Sequence, residues 1–249
     1  MSVRALKGGR LSMEDKYSIH NDGRFAAVFD GHGGSCVSTY LSEKLYDKIN
    51  HQLINNEIED INDRDSISFL TKTMTGVFRE VDEEILKIDD YQYQGSTAVA
   101  IWVHEDGDKG RTLVSANVGD SRAVLSHQGH AVDLTKDHKP NDAEERKRIL
   151  AQGEKIEWDP YCHVHRVRNL SLSRAIGDRF AKPVVSGQVD IKTFPLNNTG
   201  CDDFVVLASD GLWDVFTSQV CTYYSIQVFY PAKITISHSF LLYSETGLC

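Results

Sequence analysis

Apolar residues along the chain follow two periods. Lys16–His20 and Phe25–Phe29 are short β-like runs, and the Asn21-Asp22-Gly23 spacer between them is a tight-hairpin signal. The period then lengthens. Val37, Leu41, Leu45, Ile49 and Leu53 recur at every fourth position and predict a helix from about residue 34 to residue 54. Ile67, Leu70, Met74, Val77, Val81, Ile85 and Ile88 share one face of a second helix. Ser66 reads as its cap, and the polar residues 55–64 as the link between the two. Strands return at 96–103, 112–118 and 122–126, parted by Gly and Asp turns, with another turn over 127–130. A short charged helix is expected over 142–152, ended by Gly153. Residues 154–188 show no regular pattern, while 189–193 and 204–208 again read as strands.

This order is not β-α-β-α. Strands come as hairpins and helices come in pairs, which argues for antiparallel sheets covered by helix layers rather than a doubly wound parallel sheet. The chain has no internal repeat. Its sharpest change in composition comes near Thr217: only Lys233 and Glu245 are charged in residues 217–249, a segment rich in Tyr, Phe, Ile, Ser and Thr.

Composition narrows the function classes. At 249 residues, 41% hydrophobic and 25% charged, the chain can bury a core without disulfide or metal staples. A net charge of −9 makes it a poor general nucleic-acid binder and leaves carboxylates free for divalent cations. Five cysteines form no C-x-x-C pair, and their odd number favours reduced thiols in a cytoplasmic or nuclear compartment. Residues 1–10 lack the apolar stretch of a secretory signal, and no apolar run reaches membrane-spanning length. The expectation is a monomer with neither nucleic-acid nor membrane partners.

Four acidic segments carry the candidate chemistry. Arg10-Leu11-Ser12-Met13-Glu14-Asp15 opens the first strand, and Asp30-Gly31-His32-Gly33-Gly34 joins a strand to a helix. Gly119-Asp120-Ser121-Arg122 turns between strands, and Ser209-Asp210-Gly211-Leu212-Trp213-Asp214 follows an apolar strand. Carboxylates at strand ends can converge at one edge of a sheet. Their hard oxygens suit Mg²⁺ or Mn²⁺ rather than zinc, and the flanking glycines let backbone approach an ion closely.

With G-S-T-A at Gly95–Ala98, D-H-K-P at Asp137–Pro140, S-R-A-I-G-D at Ser173–Asp178 and Lys182-Pro183, these blocks fall in one order across roughly residues 8–216. That order resembles the type 2C, metal-dependent (PPM) serine/threonine protein phosphatases. The resemblance implies an α+β fold, a four-layer αββα sandwich of two antiparallel sheets flanked by helix pairs. It assigns residues 1–216 to the phosphatase domain and leaves 217–249 as a tail of other character.

The resemblance also implies roles. Asp30 would bridge two Mn²⁺ or Mg²⁺ ions, the Gly31 carbonyl would bind one and Asp210 the other. Glu14 and Asp15 would hold waters around them. Arg10 would clamp the substrate phosphate, a bidentate task for guanidinium. His32 would protonate the leaving Ser or Thr oxygen. Asp120 and Asp214 would hold a weaker third ion, although Asp120 equally suits a pure turn role. The substrates implied are phosphoproteins. A metal-activated water needs no covalent intermediate, so Cys36 reads as a packing residue. Arg168 stands where the family often has Gly, altering the loop or adding a basic contact for phosphopeptide. Cys162-His163-Val164-His165 lacks a recognised zinc spacing.

The chain departs from the pattern after Asp214. Family members carry a later Asp-Asn pair, whose Asp binds metal, and a final strand; here no Asp follows Asp214. The expectation is a C-terminal part that is incomplete, with a bare sheet edge. Two function classes follow: an active phosphatase, or a catalytically weak phosphatase-fold protein that binds phosphoproteins.

Overall fold

The computed structural model of the chain describes residues 2–5, 7, 12–57, 66–105, 110–196, 202–229 and 240–244. Strands β1 (Ser2–Arg4), β2 (Lys16–His20) and β3 (Phe25–Phe29) lead to the two-residue β4 (Gly31–His32). Between β2 and β3 the backbone takes left-handed φ angles of 52° at Asn21, 52° at Asp22 and 88° at Gly23, which is why Asn, Asp and Gly stand there. Helices α1 (Cys36–Glu57) and α2 (Ser66–Ile85) follow; Val37, Leu41, Leu45 and Ile49 of the first stripe and Leu70, Met74, Val77, Val81 and Ile85 of the second are buried, while Ile88 lies beyond the end of α2.

Next come β5 (Gly95–Ser96), β6 (Ala98–Glu105), β7 (Arg111–Val118), β8 (Arg122–His127) and β9 (His130–Asp133). The run expected as one strand breaks at Thr97, because β5 pairs with β4 while β6 pairs with β3. Helix α3 (Ala143–Ala151) is capped by Asp142, whose Oδ1 accepts the N–H of Glu144 at 3.1 Å. The stretch read as irregular contains a hairpin, β10 (Glu157–Asp159) with β11 (Val164–Arg166), and a short β12 (Ile176–Gly177). Strands of two or three residues are too short to show an alternation. The chain continues through β13 (Asp190–Leu196), β14 (Asp202–Ala208), α4 (Asp210–Trp213), α5 (Ser218–Phe229) and β15 (Phe240–Ser244).

Two five-stranded antiparallel sheets dominate, ordered β13-β7-β6-β3-β2 and β1-β15-β14-β8-β9. Alternate side chains of β3 point opposite ways. Phe25, Ala27 and Phe29 meet the stripes of α1 and α2. Ala26 and Val28 meet Val99, Ile101, Leu125, Val205 and Leu207 between the sheets. Val124, Phe204 and Val206, on the far face of the second sheet, pack on Leu212, Trp213 and Cys221. The order of layers is therefore helix, sheet, sheet, helix, as the resemblance implied. No helix among the described residues is long and apolar enough to cross a membrane.

The bare C-terminal edge is corrected. β15 pairs with β14 from Phe204↔Ser244 to Ala208↔Phe240, and β1 pairs with β15 from the other side. An unpaired strand edge is a template for any uncharged, strand-forming segment, and Phe240-Leu241-Leu242-Tyr243-Ser244 is one.

Candidate active site

Asp30 follows directly on β3, at the point where the chain leaves the large sheet for the small one. Its backbone is strapped in place by Thr97. The Asp30 N–H donates to Thr97 Oγ1 at 3.1 Å, and the Thr97 N–H donates to the Asp30 carbonyl at 2.9 Å. Thr97 Oγ1 in turn lies 2.6 Å from Ser121 Oγ in the β7–β8 turn. The hydroxyls of G-S-T-A and G-D-S-R thus tie the Asp30 and Asp120 segments together.

The carboxylates converge. Burial pushes the Asp30 carboxyl well above its ordinary range, and the negative charges of Asp15, Asp210 and Asp120 push it further, with hydrogen bonding to Asp15 adding to the effect. Asp15 Oδ2 accepts from Ser209 Oγ at 3.0 Å, which joins the first acidic segment to the last. Gly31 makes that first segment fit. A Cβ at Gly31 would lie 2.6 Å from the Glu14 carbonyl oxygen and 2.7 Å from Ser38 Oγ. Glu14 holds its Oε1 3.0 Å from Ser12 Oγ.

Asp120 is buried in a turn pinned by His138. The Gly119 N–H donates to His138 Nδ1 at 3.0 Å, so the ring proton sits on Nε2, 3.0 Å from Asp190 Oδ2. The next residue, Lys139, puts its ammonium 2.5 Å from Asp120 Oδ2. Burial, offset in part by Lys139 and reinforced by Asp210, pushes Asp120 up to about 6. Asp210 is the first residue of α4, and Asp214 stands at its end. Burial and then Asp210 raise Asp214 as well.

His32 closes the opposite side. Its Nε2 lies 2.7 Å from Asp178 Oδ2, the Asp of S-R-A-I-G-D. Burial disfavours the imidazolium, but the hydrogen bond and charge of Asp178, with Asp120 and Glu14 beyond, outweigh it and raise His32 above its usual range.

Arg10 lies outside the described residues. Arg122 serves the scaffold: its Nε and Nη2 bind Asp137 at 2.9 and 2.6 Å, and its guanidinium lies 5.2 Å from the Trp213 ring centroid. Arg168 takes a left-handed φ of 51° and pairs with Glu154 at 2.5 Å, so its charge is already partnered. Cys36 is corrected: it is exposed at the start of α1, and its N–H donates to Gln94 Oε1. The sequence alone assigns no role to Thr97, Lys139 or Asp178. All three stand inside motif blocks, which was the only signal available for them.

Among the described residues no three His, Cys, Asp or Glu side chains already enclose one ion. The donor set nonetheless fits a hard divalent cation. Asp15, Asp30, Asp120 and Asp210 are all oxygen donors, and burial together with neighbouring negative charge holds the Asp30 and Asp120 carboxyls above their ordinary range, as happens where a cation is owed to them.

Known proteins resemble the chain in sequence and in fold. The family model described as Protein phosphatase 2C matches residues 2–223. Among curated relatives, Probable protein phosphatase 2C 69 of Arabidopsis thaliana is 37% identical over 221 residues, covering 85% of this chain and 56% of the relative. Probable protein phosphatase 2C 11 of the same plant is 35% identical, covering 86% of this chain and 54% of the relative. The chain thus spans about half the length of these relatives. Among solved structures, a C. elegans sex determining protein superposes with a TM-score of 0.78 at 27% identity, covering 92% of this chain and 55% of that one. A serine-threonine phosphatase 2C from Toxoplasma gondii gives 0.77 at 20% identity, covering 92% and 83%, a likeness of fold. With nearly its whole described length matched and the matching blocks lining one site, the chain belongs to the protein phosphatase 2C family.

Proposed function

We propose that the chain hydrolyses phosphoserine and phosphothreonine in proteins, using water activated at the carboxylate cluster. The observation that carries this reading is the convergence of Asp15, Asp30, Asp120 and Asp210, with Asp30 held far above its ordinary pKa range by burial and its acidic neighbours. Asp30, the Gly31 carbonyl and Asp210 would hold two Mn²⁺ or Mg²⁺ ions, with Glu14 and Asp15 ordering waters around them. Asp120 and Asp214 would hold a weaker third. Bound, the cations supply an acidified water and neutralise phosphoryl charge. Arg10 would grip the phosphate. His32 would protonate the departing seryl or threonyl oxygen, and Asp178 beside it keeps the imidazolium stable for that task.

The substrates are phosphoproteins met by a monomer in the cytoplasm or nucleus. The exposed free thiols of Cys36 and Cys162 support a reducing compartment.

A second reading, a weak enzyme that mainly binds phosphoprotein, is favoured by the ammonium already seated on Asp120. Phosphate release from a phosphoserine peptide decides between them. Turnover with Mn²⁺ that stops in chelator and in Asp30→Ala supports the enzyme. Peptide binding without turnover supports the second reading, and turnover that survives both chelator and Asp30→Ala overturns the metal mechanism.

A further inference from the structure

The His32–Asp178 contact is built on a small antiparallel element of the fold, the three-stranded sheet β12-β5-β4. β5 is its middle strand, so Gly95 pairs with His32 on one side and with Gly177 on the other. Gly95 has no side chain, and the imidazole and the Asp178 carboxylate meet over it. A Cβ there would lie 2.5 Å from His32 Nε2 and 2.5 Å from Asp178 Cγ.

The backbone around Asp178 is fixed from several directions. Asp178 holds a left-handed φ of 51°, its N–H donates to the Gln94 carbonyl at 2.9 Å, and its carbonyl accepts from Ala181 at 2.8 Å. The preceding Gly177 N–H donates to Asp82 Oδ1 at 2.8 Å, while Asp82 Oδ2 pairs with Lys182 Nζ at 3.0 Å. The side chain that results is fully buried. One oxygen, Oδ2, takes His32 Nε2; the other, Oδ1, has no hydrogen-bond partner among the described residues. An unserved buried carboxylate oxygen costs free energy, and strain of this kind collects where geometry serves function.

A carboxylate only accepts hydrogen bonds, so the Nε2 proton of His32 points at Asp178. We propose that Asp178 is the positioning residue of His32: it anchors Nε2, fixes the ring, and leaves Nδ1 as the nitrogen that serves the leaving group. This rests on the reading of His32 as the proton donor. As the water oxygen bonds to phosphorus and the P–O ester bond breaks, its electron pair stays on the seryl oxygen and takes the Nδ1 proton. The ring is left as the neutral Nε2–H form, still bonded to Asp178. Gly95 is part of the device, because any side chain there separates the pair.

The test is ¹⁵N NMR of the His32 imidazole in the full chain with Mg²⁺. It is run alongside kinetics on a phosphoserine peptide and on an aryl phosphate, whose leaving oxygen hardly needs a proton. At a pH where the ring has lost its second proton, the wild type is expected to show the Nε2–H tautomer. Asp178→Ala should mix the tautomers and lower kcat on phosphoserine about 100-fold, with KM and the aryl phosphate rate little changed. Asp178→Asn, whose amide oxygen can still accept from Nε2, should restore the tautomer and part of the rate. Gly95→Ala should act like Asp178→Ala. A wild-type ring protonated on Nδ1 alone, or an Asp178→Ala ring and kcat that match the wild type, overturns the proposal. His32→Ala checks the underlying reading separately: equal losses on both substrates sink the proton-donor role, while the tautomer result still supports or overturns the anchor.

Discussion

The Lys139 ammonium sits between two candidate metal ligands, 2.5 Å from Asp120 Oδ2 and 3.9 Å from Asp210 Oδ2. It is a cation supplied by the chain in the corner where the carboxylates most need one. Burial works against its charge, but Asp120 and Asp210 more than compensate and raise it above the usual lysine range. Lys139→Met should therefore destabilise the metal-free protein by about 3 kcal/mol, since it leaves Asp120 buried and unpaired. It should also enlarge the thermal stabilisation that Mn²⁺ produces, because the ion no longer competes with the ammonium. Melting curves with and without Mn²⁺ check this. Equal Mn²⁺ shifts in the two proteins would show that lysine and ion do not share the corner.

Gly31→Ala tests how the first acidic segment is held. The added methyl would meet the Glu14 carbonyl at 2.6 Å and Ser38 Oγ at 2.7 Å, so the segment carrying Glu14 and Asp15 has to move outward. Ser38 Oγ now donates to that same carbonyl at 2.5 Å, and this bond is lost with it. Stability should fall by about 2 kcal/mol, and Mn²⁺ should bind several-fold more weakly by calorimetry. Unchanged Mn²⁺ affinity would mean that residues 14 and 15 act independently of their distance from Gly31.

These two sites show what a sequence can and cannot reveal. Asp30, Asp120 and Asp210 were readable because each stands at a strand end beside a Gly, a local pattern with a chemical reason. The stripes Val37-Leu41-Leu45-Ile49 and Leu70-Met74-Val77-Val81 were readable for the same local reason. Lys139, Thr97 and Asp178 were not. Lys139 reaches a residue 19 positions earlier, Thr97 holds one 67 positions earlier, and Asp178 meets one 146 positions earlier. Such roles come from topology: the β12-β5-β4 sheet that joins Asp178 to His32 is built from two-residue strands with no periodicity to detect. The pairing of β15 is not legible in the sequence because strand edges accept many sequences, and register across a long connection is not written locally.

Acid sensitivity should arise away from the site, in the Glu145 cluster. Glu145 is buried, and its two oxygens bind Arg174 Nη2 at 2.7 Å and Arg148 Nη2 at 2.8 Å. Burial opposes its charge, but hydrogen bonds from Arg174 and Arg148 overcome this and lower it from 4.5 to about 2. A depressed folded-state pKa means stability that is fully present above the unfolded value of 4.5 and is lost as pH falls through about 2. The loss over that window should be about 3 kcal/mol for this group. Urea melts from pH 6 down to the lowest pH at which the protein still folds should show the slope, and Glu145→Gln should flatten it. A wild-type slope no steeper than that of Glu145→Gln would remove Glu145 from the account.

The last relationship to test is the pairing of β15 in the second sheet. Its backbone serves two neighbours at once, Leu242 lying opposite Val206 of β14 and opposite Ser2 of β1. Leu242→Pro removes one ladder N–H and bars regular pairing at the middle of the strand. If β15 holds the sheet together, the amides of β14 from Phe204 to Ala208 should exchange faster with deuterium. Stability should also fall by about 2 kcal/mol, and light scattering should rise as the freed edge finds other chains. Leu242→Thr, which keeps the N–H and strand propensity, should leave amide exchange near that of the wild type. The contrast between the two variants separates backbone pairing from any effect of the side chain. Equal exchange in wild type and Leu242→Pro would mean that β14 is protected without β15, and that residues 240–244 contribute nothing to closing the edge.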